Sequence, residues 1–144
     1  METPIDQELT AQLALNRVPG VGSVTYSNLL ETFNSAADVF NANRQQLSSV
    51  PGITPDIVDA LIMGKDATDV AEDIKWLQED HSHHAIYLSQ AQYPALLAQI
   101  HRPPPVLFLK GDASLLHTIQ LAIVGSRNPT PGGIENARAF ASNL

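Results

Sequence analysis

Three consecutive residues, Gly125, Ser126 and Arg127, carry the clearest chemical potential in this 144-residue sequence. Glycine lets a main chain approach an anion closely, serine offers a hydroxyl, and arginine clamps a phosphate through two parallel donors. The combination suits phosphate binding at a turn. It serves equally as a strand-to-helix turn with an exposed arginine. The Gly-x-Gly-x-x-Gly spacing of dinucleotide sites is absent, and so is the Gly-Lys-Ser/Thr of a P-loop. Neither nicotinamide chemistry nor P-loop nucleotide hydrolysis is therefore indicated.

A second set of candidates lies near the other end of the chain. Val18-Pro19-Gly20-Val21-Gly22 is repeated 32 residues later as Val50-Pro51-Gly52-Ile53, with Thr54 in place of the last glycine. Glycine turns between helices let hairpin amides reach a nucleic-acid phosphate, with Arg17 and Arg44 as nearby cations. Arg17, Gly20, Gly22 and Gly52 are the candidate contacts. Basic support is thin, which favours the plainer reading of tight turns in a helical interaction or spacer bundle. His81, His83 and His84 sit in Asp80-His-Ser-His-His-Ala, where they are expected to be solvated at a polar hinge rather than to hold a metal. Acid pairs such as Glu72-Asp73 read as a solvated helix face. No metal, cofactor or Ser-His-Asp arrangement is expected.

These residues need elements to position them. Around the Gly-Ser-Arg turn, the apolar run Leu121–Val124 predicts a buried parallel strand, and a helix-like segment over 134–144 follows. Strand, glycine turn and helix form the opening unit of a doubly wound α/β domain, where phosphates dock on turn amides. Upstream, Thr3-Pro4 predicts a helix start, with Asp6 completing a capping box and Leu9, Leu13 and Ala14 at helical spacing. Ser23 is expected to cap a helix carrying Tyr26, Leu29, Leu30 and Phe33. Ser35 opens a shorter segment with Ala36, Val39 and Phe40. Thr54-Pro55 caps another through Ile57, Val58, Leu61 and Ile62. The repeat predicts two helix-hairpin-helix units packed together.

Residues 67–79 then predict an amphipathic helix with Val70, Ile74 and Leu77 on one face. After a hinge at residues 80–85, Ala85–Leu88 predicts a strand and Tyr93–Leu97 a helical turn. His101-Arg102-Pro103-Pro104-Pro105 is a stiff extended segment, because proline fixes φ and constrains its predecessor. Val106–Leu109 predicts a strand, and Asp112–Leu116 a further helical turn.

Composition bounds the rest. Hydrophobic residues make up 44% of the chain, and mean hydropathy is −0.05, as in a globular protein. No apolar run approaches the roughly 18 residues of a membrane span. The first residues carry no signal-like pattern, and no cysteine is available for a disulfide or thiolate site, which fits a cytoplasmic setting. Net charge is −7 and unevenly spread. Residues 1–80 hold four Lys/Arg against thirteen Asp/Glu, whereas residues 81–144 hold four against two. A polyanion would favour the second half.

Taken in order, the motifs resemble those of a known family. Val-Pro-Gly-Val-Gly, then Tyr93-Pro-Ala-Leu-Leu-Ala-Gln-Ile, Pro103-Pro-Pro-Val-Leu-Phe-Leu-Lys-Gly111 and Leu121-Ala-Ile-Val-Gly-Ser-Arg-Asn-Pro-Thr130 are similar to the N-terminal part of the DNA-processing protein A (DprA/Smf) family. The resemblance runs from about Leu13 to Leu144. It implies an α + α/β chain: a sterile-alpha-motif-like helix-hairpin-helix bundle over 1–80, then an incomplete, truncated start of a Rossmann-like DNA-binding domain over 81–144. It implies a non-enzymatic mediator that binds single-stranded DNA during natural transformation and hands it to the RecA recombinase. Gly125, Ser126 and Arg127 inherit a place in the DNA pocket, and the homodimer surface of the full-length family is expected to lie outside this sequence. One departure is His101-Arg102, where the family often has an acidic residue before its prolines. Two other classes stay open: a Rossmann-like nucleotide phosphoribohydrolase, and a module that only binds proteins.

Overall fold

Helix α1 (Gln7–Arg17) lies between two cores, and its sequence explains why. Leu9 and Leu13 are one helical turn apart and share a face, whereas Leu15 projects from the opposite side. Leu15 enters a helical core with Tyr26, Leu29, Val39, Leu47, Val58 and Leu61. Leu9 and Leu13 enter a second core with Val70, Leu77, Ala85 and Val106. The computed structural model describes residues 6–64 and 70–143.

The helical core is built by α1, α2 (Ser23–Phe33), α3 (Ala36–Asn41), α4 (Arg44–Ser48) and α5 (Pro55–Gly64). Tyr26 and Leu29 of α2 are fully buried, while Leu30 and Phe33 pack at the edge, as their spacing predicts. Ser35 caps α3 by accepting from Asp38 N–H at 3.0 Å, and Thr54 faces Ile57 N–H at 3.4 Å at the start of α5. Short α4 was not foreseen. Its start nonetheless has a legible capping box, Asn43 and Gln46 satisfying each other's backbone N–H groups at 2.9 Å.

A buried polar chain ties α1 to α2 and α3. The Glu8 carboxylate accepts from Ala36 N–H at 2.8 Å and Ala37 N–H at 3.1 Å, so it caps α3 from another helix. It also accepts from Gln12 Nε2 at 2.6 Å, and Tyr26 donates its hydroxyl to Gln12 Oε1. Burial, and then the Glu8 charge, push the Tyr26 phenol well above its ordinary range.

The second core joins α1 and α6 (Ala71–Glu79) to a two-stranded antiparallel sheet of β1 (His83–Tyr87) and β2 (Val106–Lys110). His83 lies opposite Lys110, Ala85 opposite Phe108 and Tyr87 opposite Val106, so these six share one face. Ala85 and Val106 are buried in the α1–α6 core. Between the strands runs the short helix α7 (Ala95–Ala98), followed by the proline segment. Buried Tyr93 donates to the Pro104 carbonyl at 2.8 Å, and Leu88 N–H to that of Pro105 at 2.9 Å. The prolines thus serve as stiff acceptors that hold the connection closed. A 3-10 turn (Ala113–His117) and α8 (Pro131–Asn143) complete the described chain.

Several expectations are corrected. Thr3-Pro4 lies outside the described residues, and Asp6 is itself the cap of α1, accepting from Leu9 N–H at 2.7 Å. Gly22 rather than Ser23 caps α2, because the extended backbone ends there and Ser23 is already helical. Residues 67–69 of the helix expected over 67–79 lie outside the described residues; α6 starts at Ala71. The hinge histidines His83 and His84 are buried in β1 instead of solvated. The apolar run Leu121–Val124 forms no strand and is exposed, Leu121 at 70% and Val124 at 89%. A strand needs a neighbouring ladder; the sheet among the described residues is antiparallel and has two strands only. The last helix starts at Pro131, earlier than expected, because Thr130 caps it and proline suits the first helical position; Leu144 lies outside the described residues.

Candidate nucleic-acid interface

Gly125, Ser126 and Arg127 lie together on an exposed turn ahead of α8. Ser126 Oγ accepts from Asn128 N–H at 3.2 Å and lies 3.2 Å from the Asn128 carbonyl, which folds the turn on itself. Thr130 Oγ1 then accepts from Gly133 N–H at 3.2 Å, and the Thr130 carbonyl from Ile134 N–H at 3.0 Å. Nothing lies within 4 Å of where a Cβ on Gly125 would stand, so the main chain is open to an approaching anion. Exposed Arg127, and Arg138 on α8, supply positive charge here against Glu135.

The hairpins are arranged differently. Gly20 and Gly52 adopt φ of 85° and 78°, and each follows the same turn bond, Val21 N–H to Val18 O at 3.1 Å and Ile53 N–H to Val50 O at 3.3 Å. The repeat is therefore physical as well as textual. Thr54 in the place of Gly22 exchanges one helix cap for another. Each hairpin packs on the other unit. A Cβ on Gly20 would meet Ile57 Cγ1 at 2.9 Å, and Asn28 of α2 donates to the Pro51 carbonyl at 3.0 Å beside Gly52.

These contacts give the glycines a graded structural role. Gly20→Ala is expected to cost roughly 2 kcal/mol, left-handed strain plus displacement of Ile57. Gly52→Ala has room, its nearest neighbour being 3.8 Å away, and should cost about 1 kcal/mol. Gly22→Ala, with negative φ and open space, should cost about 1 kcal/mol or less. Urea unfolding of the three variants checks that order.

Both cations near the hairpins are ion-paired. Arg17 donates through Nε and Nη2 to the two oxygens of Asp73, each at 2.7 Å, and so fastens α1 to α6. Arg44 lies 2.5 Å from Asp59. A phosphate at Arg17 would have to displace a bidentate carboxylate.

His83 and Trp76 form a feature the sequence reading missed. Their rings stack at 3.9 Å and 5°, and Phe108 meets Trp76 edge-on at 5.8 Å. His83 Nδ1 is 2.6 Å from the Trp76 carbonyl, which can only accept, so Nδ1 carries the proton. Its Nε2 is buried with no hydrogen-bond partner among the described residues. The strand expected over Ala85–Leu88 was the available signal; it starts two residues earlier, at His83, behind the polar appearance of the histidines. Among the described residues, no group of three or more His, Asp or Glu side chains is placed to hold a metal. No helix among them is long and apolar enough to cross a membrane.

Comparison with known proteins matches two stretches of the chain. Residues 84–144 match the family model for DNA recombination-mediator protein A, and residues 13–64 match that for a SAM-like helix-hairpin-helix tandem. The chain is 51% identical over 49 residues to DNA processing protein DprA of Bacillus subtilis, covering 33% of this chain and 16% of that protein. It is 36% identical over 69 residues to protein Smf of Escherichia coli, covering 48% and 18%. Protein Smf of Synechocystis sp. is 28% identical over 138 residues, covering 92% of this chain. The matches span at most 34% of these relatives' own lengths. No solved structure matches the chain.

Proposed function

From the chain's resemblance to the DprA/Smf family of DNA-processing proteins, carried by residues 13–64 and 84–144, we propose that it binds single-stranded DNA through Gly125, Ser126 and Arg127. The role is that of a non-enzymatic mediator in the cytoplasm, which passes the strand to the RecA recombinase during natural transformation. The observation that carries this reading is the exposed Gly-Ser-Arg turn, leading into α8 within the region matched to a recombination mediator. Turn amides, a hydroxyl and a guanidinium are the group types that suit a phosphodiester. In this reading the turn and α8 belong to the start of a Rossmann-like domain, and the chain divides near residue 80. Homodimerisation belongs to the same proposal.

The helical half supports a second role. Arg17 and Arg44 are both ion-paired, and acids outnumber bases in residues 1–80, which suits a protein partner better than a phosphate. Contacts from Gly20, Gly22 and Gly52 to DNA are secondary in this scheme.

Fluorescence anisotropy with a labelled oligothymidylate tests the main reading. Binding should be present at low salt and weaken as salt rises. Arg127→Ala should weaken it about tenfold, the loss of one charge-assisted contact, and Arg17→Ala should leave it unchanged. Binding indifferent to Arg127→Ala, or absent at low salt, would overturn the assignment. Cleavage of a nucleoside monophosphate would replace it with the phosphoribohydrolase alternative.

A further inference from the structure

The seam between α6 and the sheet carries an aromatic group outside the Gly-Ser-Arg turn. Its base is the stacked pair Trp76 and His83, the imidazole held in plane by its 2.6 Å contact with the Trp76 carbonyl. Phe108 stands nearly perpendicular to the indole, at 76°, and keeps 43% of its surface exposed. Phenyl and indole thus pack edge to face, with the phenyl partly open to solvent. Lys110 is exposed, two residues along the same strand face, directly opposite His83. An exposed ring packed on a second aromatic, with a cation one pleat away, matches the needs of an unpaired nucleotide: a flat partner for the base and a charge for its phosphate.

We infer that Phe108 and the edge of Trp76, with Lys110 beside them, form a nucleobase-stacking platform for single-stranded nucleic acid, distinct from the Gly-Ser-Arg turn. This rests on the proposed DNA-binding reading and adds a second contact point for the same strand. Stacking supplies most of the interaction here. Asp80 lies close enough to Lys110 for the two charges to interact, so Lys110 contributes little net positive field. Binding at the platform therefore depends on salt more weakly than binding at Arg127. It also tolerates any base sequence, because every base offers a π-face.

Trp76 is the chain's only tryptophan, so its emission reports on this site alone. Unlabelled oligothymidylate titrated into the whole chain should quench Trp76 saturably, and an abasic oligonucleotide of equal length should not. Phe108→Leu keeps an apolar side chain against the indole but removes the ring; it should weaken the quenching isotherm about tenfold. Circular dichroism confirms that this variant is folded, and Phe108→Tyr should restore the quench. Binding seen by anisotropy with unchanged Trp76 emission would overturn the platform and leave the proposed function standing. Equal quenching by the abasic strand, or by Phe108→Leu, would also overturn it. Quenching that survives Arg127→Ala but fails in Phe108→Leu would uphold the platform while removing the turn from the site.

Discussion

Leu13→Ala is expected to destabilise the chain by roughly 2–5 kcal/mol, the range for truncating a buried leucine whose site cannot collapse. Leu13 is 1% exposed and enclosed by Leu9, Val70, Leu77, Ala85 and Val106. Those neighbours come from both sides of residue 80, so the cavity opens in the joint that fastens α1 to α6 and the sheet. Urea unfolding followed by Trp76 emission should show the loss directly, since Trp76 packs beside this core. Leu15→Ala provides the contrast, because it empties the helical core on the opposite face of α1. The same geometry bears on the proposed division near residue 80. A chain of residues 1–80 alone would lack Ala85 and Val106, and should be measurably less stable than the whole. Equal stability would mean that the helical half is complete without the sheet.

Glu8→Ala is the second large effect, expected at roughly 3 kcal/mol, because three donors lose one acceptor at once. Two are the first backbone N–H groups of α3, at 2.8 and 3.1 Å, and the third is Gln12 Nε2 at 2.6 Å. Helix α3 has only six residues and little strength of its own, so losing a carboxylate at its positive end matters. Gln12 would also lose the partner that orients it towards the Tyr26 hydroxyl. Glu8→Gln keeps an acceptor and removes the charge, and should cost about 1 kcal/mol. Chemical unfolding separates the two variants; equal losses would show that charge, not hydrogen bonding, is what α3 requires.

Much of this architecture is legible in single residues. Ser35 and Thr54 occupy the capping positions that their types suggest, and Tyr26 and Leu29, or Val58 and Leu61, are buried at helical spacing. The duplicated Val-Pro-Gly turn is two hairpins with matching φ and matching hydrogen bonds. The Asn43–Gln46 capping box was equally readable and overlooked. Of the candidate site, the exposed turn at Gly125–Arg127 and its capped helix follow from local sequence, since glycine, proline and threonine act over a few residues.

Other features depend on partners distant in the chain. Nothing near Arg17 announces its clamp on Asp73, and nothing near Glu8 announces the cap on α3. Three histidines in a polar stretch resemble a solvated hinge until Trp76 and β2 enclose His83. Leu121–Val124 has strand-like composition yet joins no strand and is exposed, because apolar residues become a strand only beside another strand. The sequence by itself determined the hairpin turns, the Ser35 and Thr54 caps and the helical faces, which are set by interactions within one or two turns of chain. Only the tertiary structure decided which arginine is occupied, which histidine is buried and which apolar run is left uncovered, because burial and ion pairing are properties of what packs against a residue.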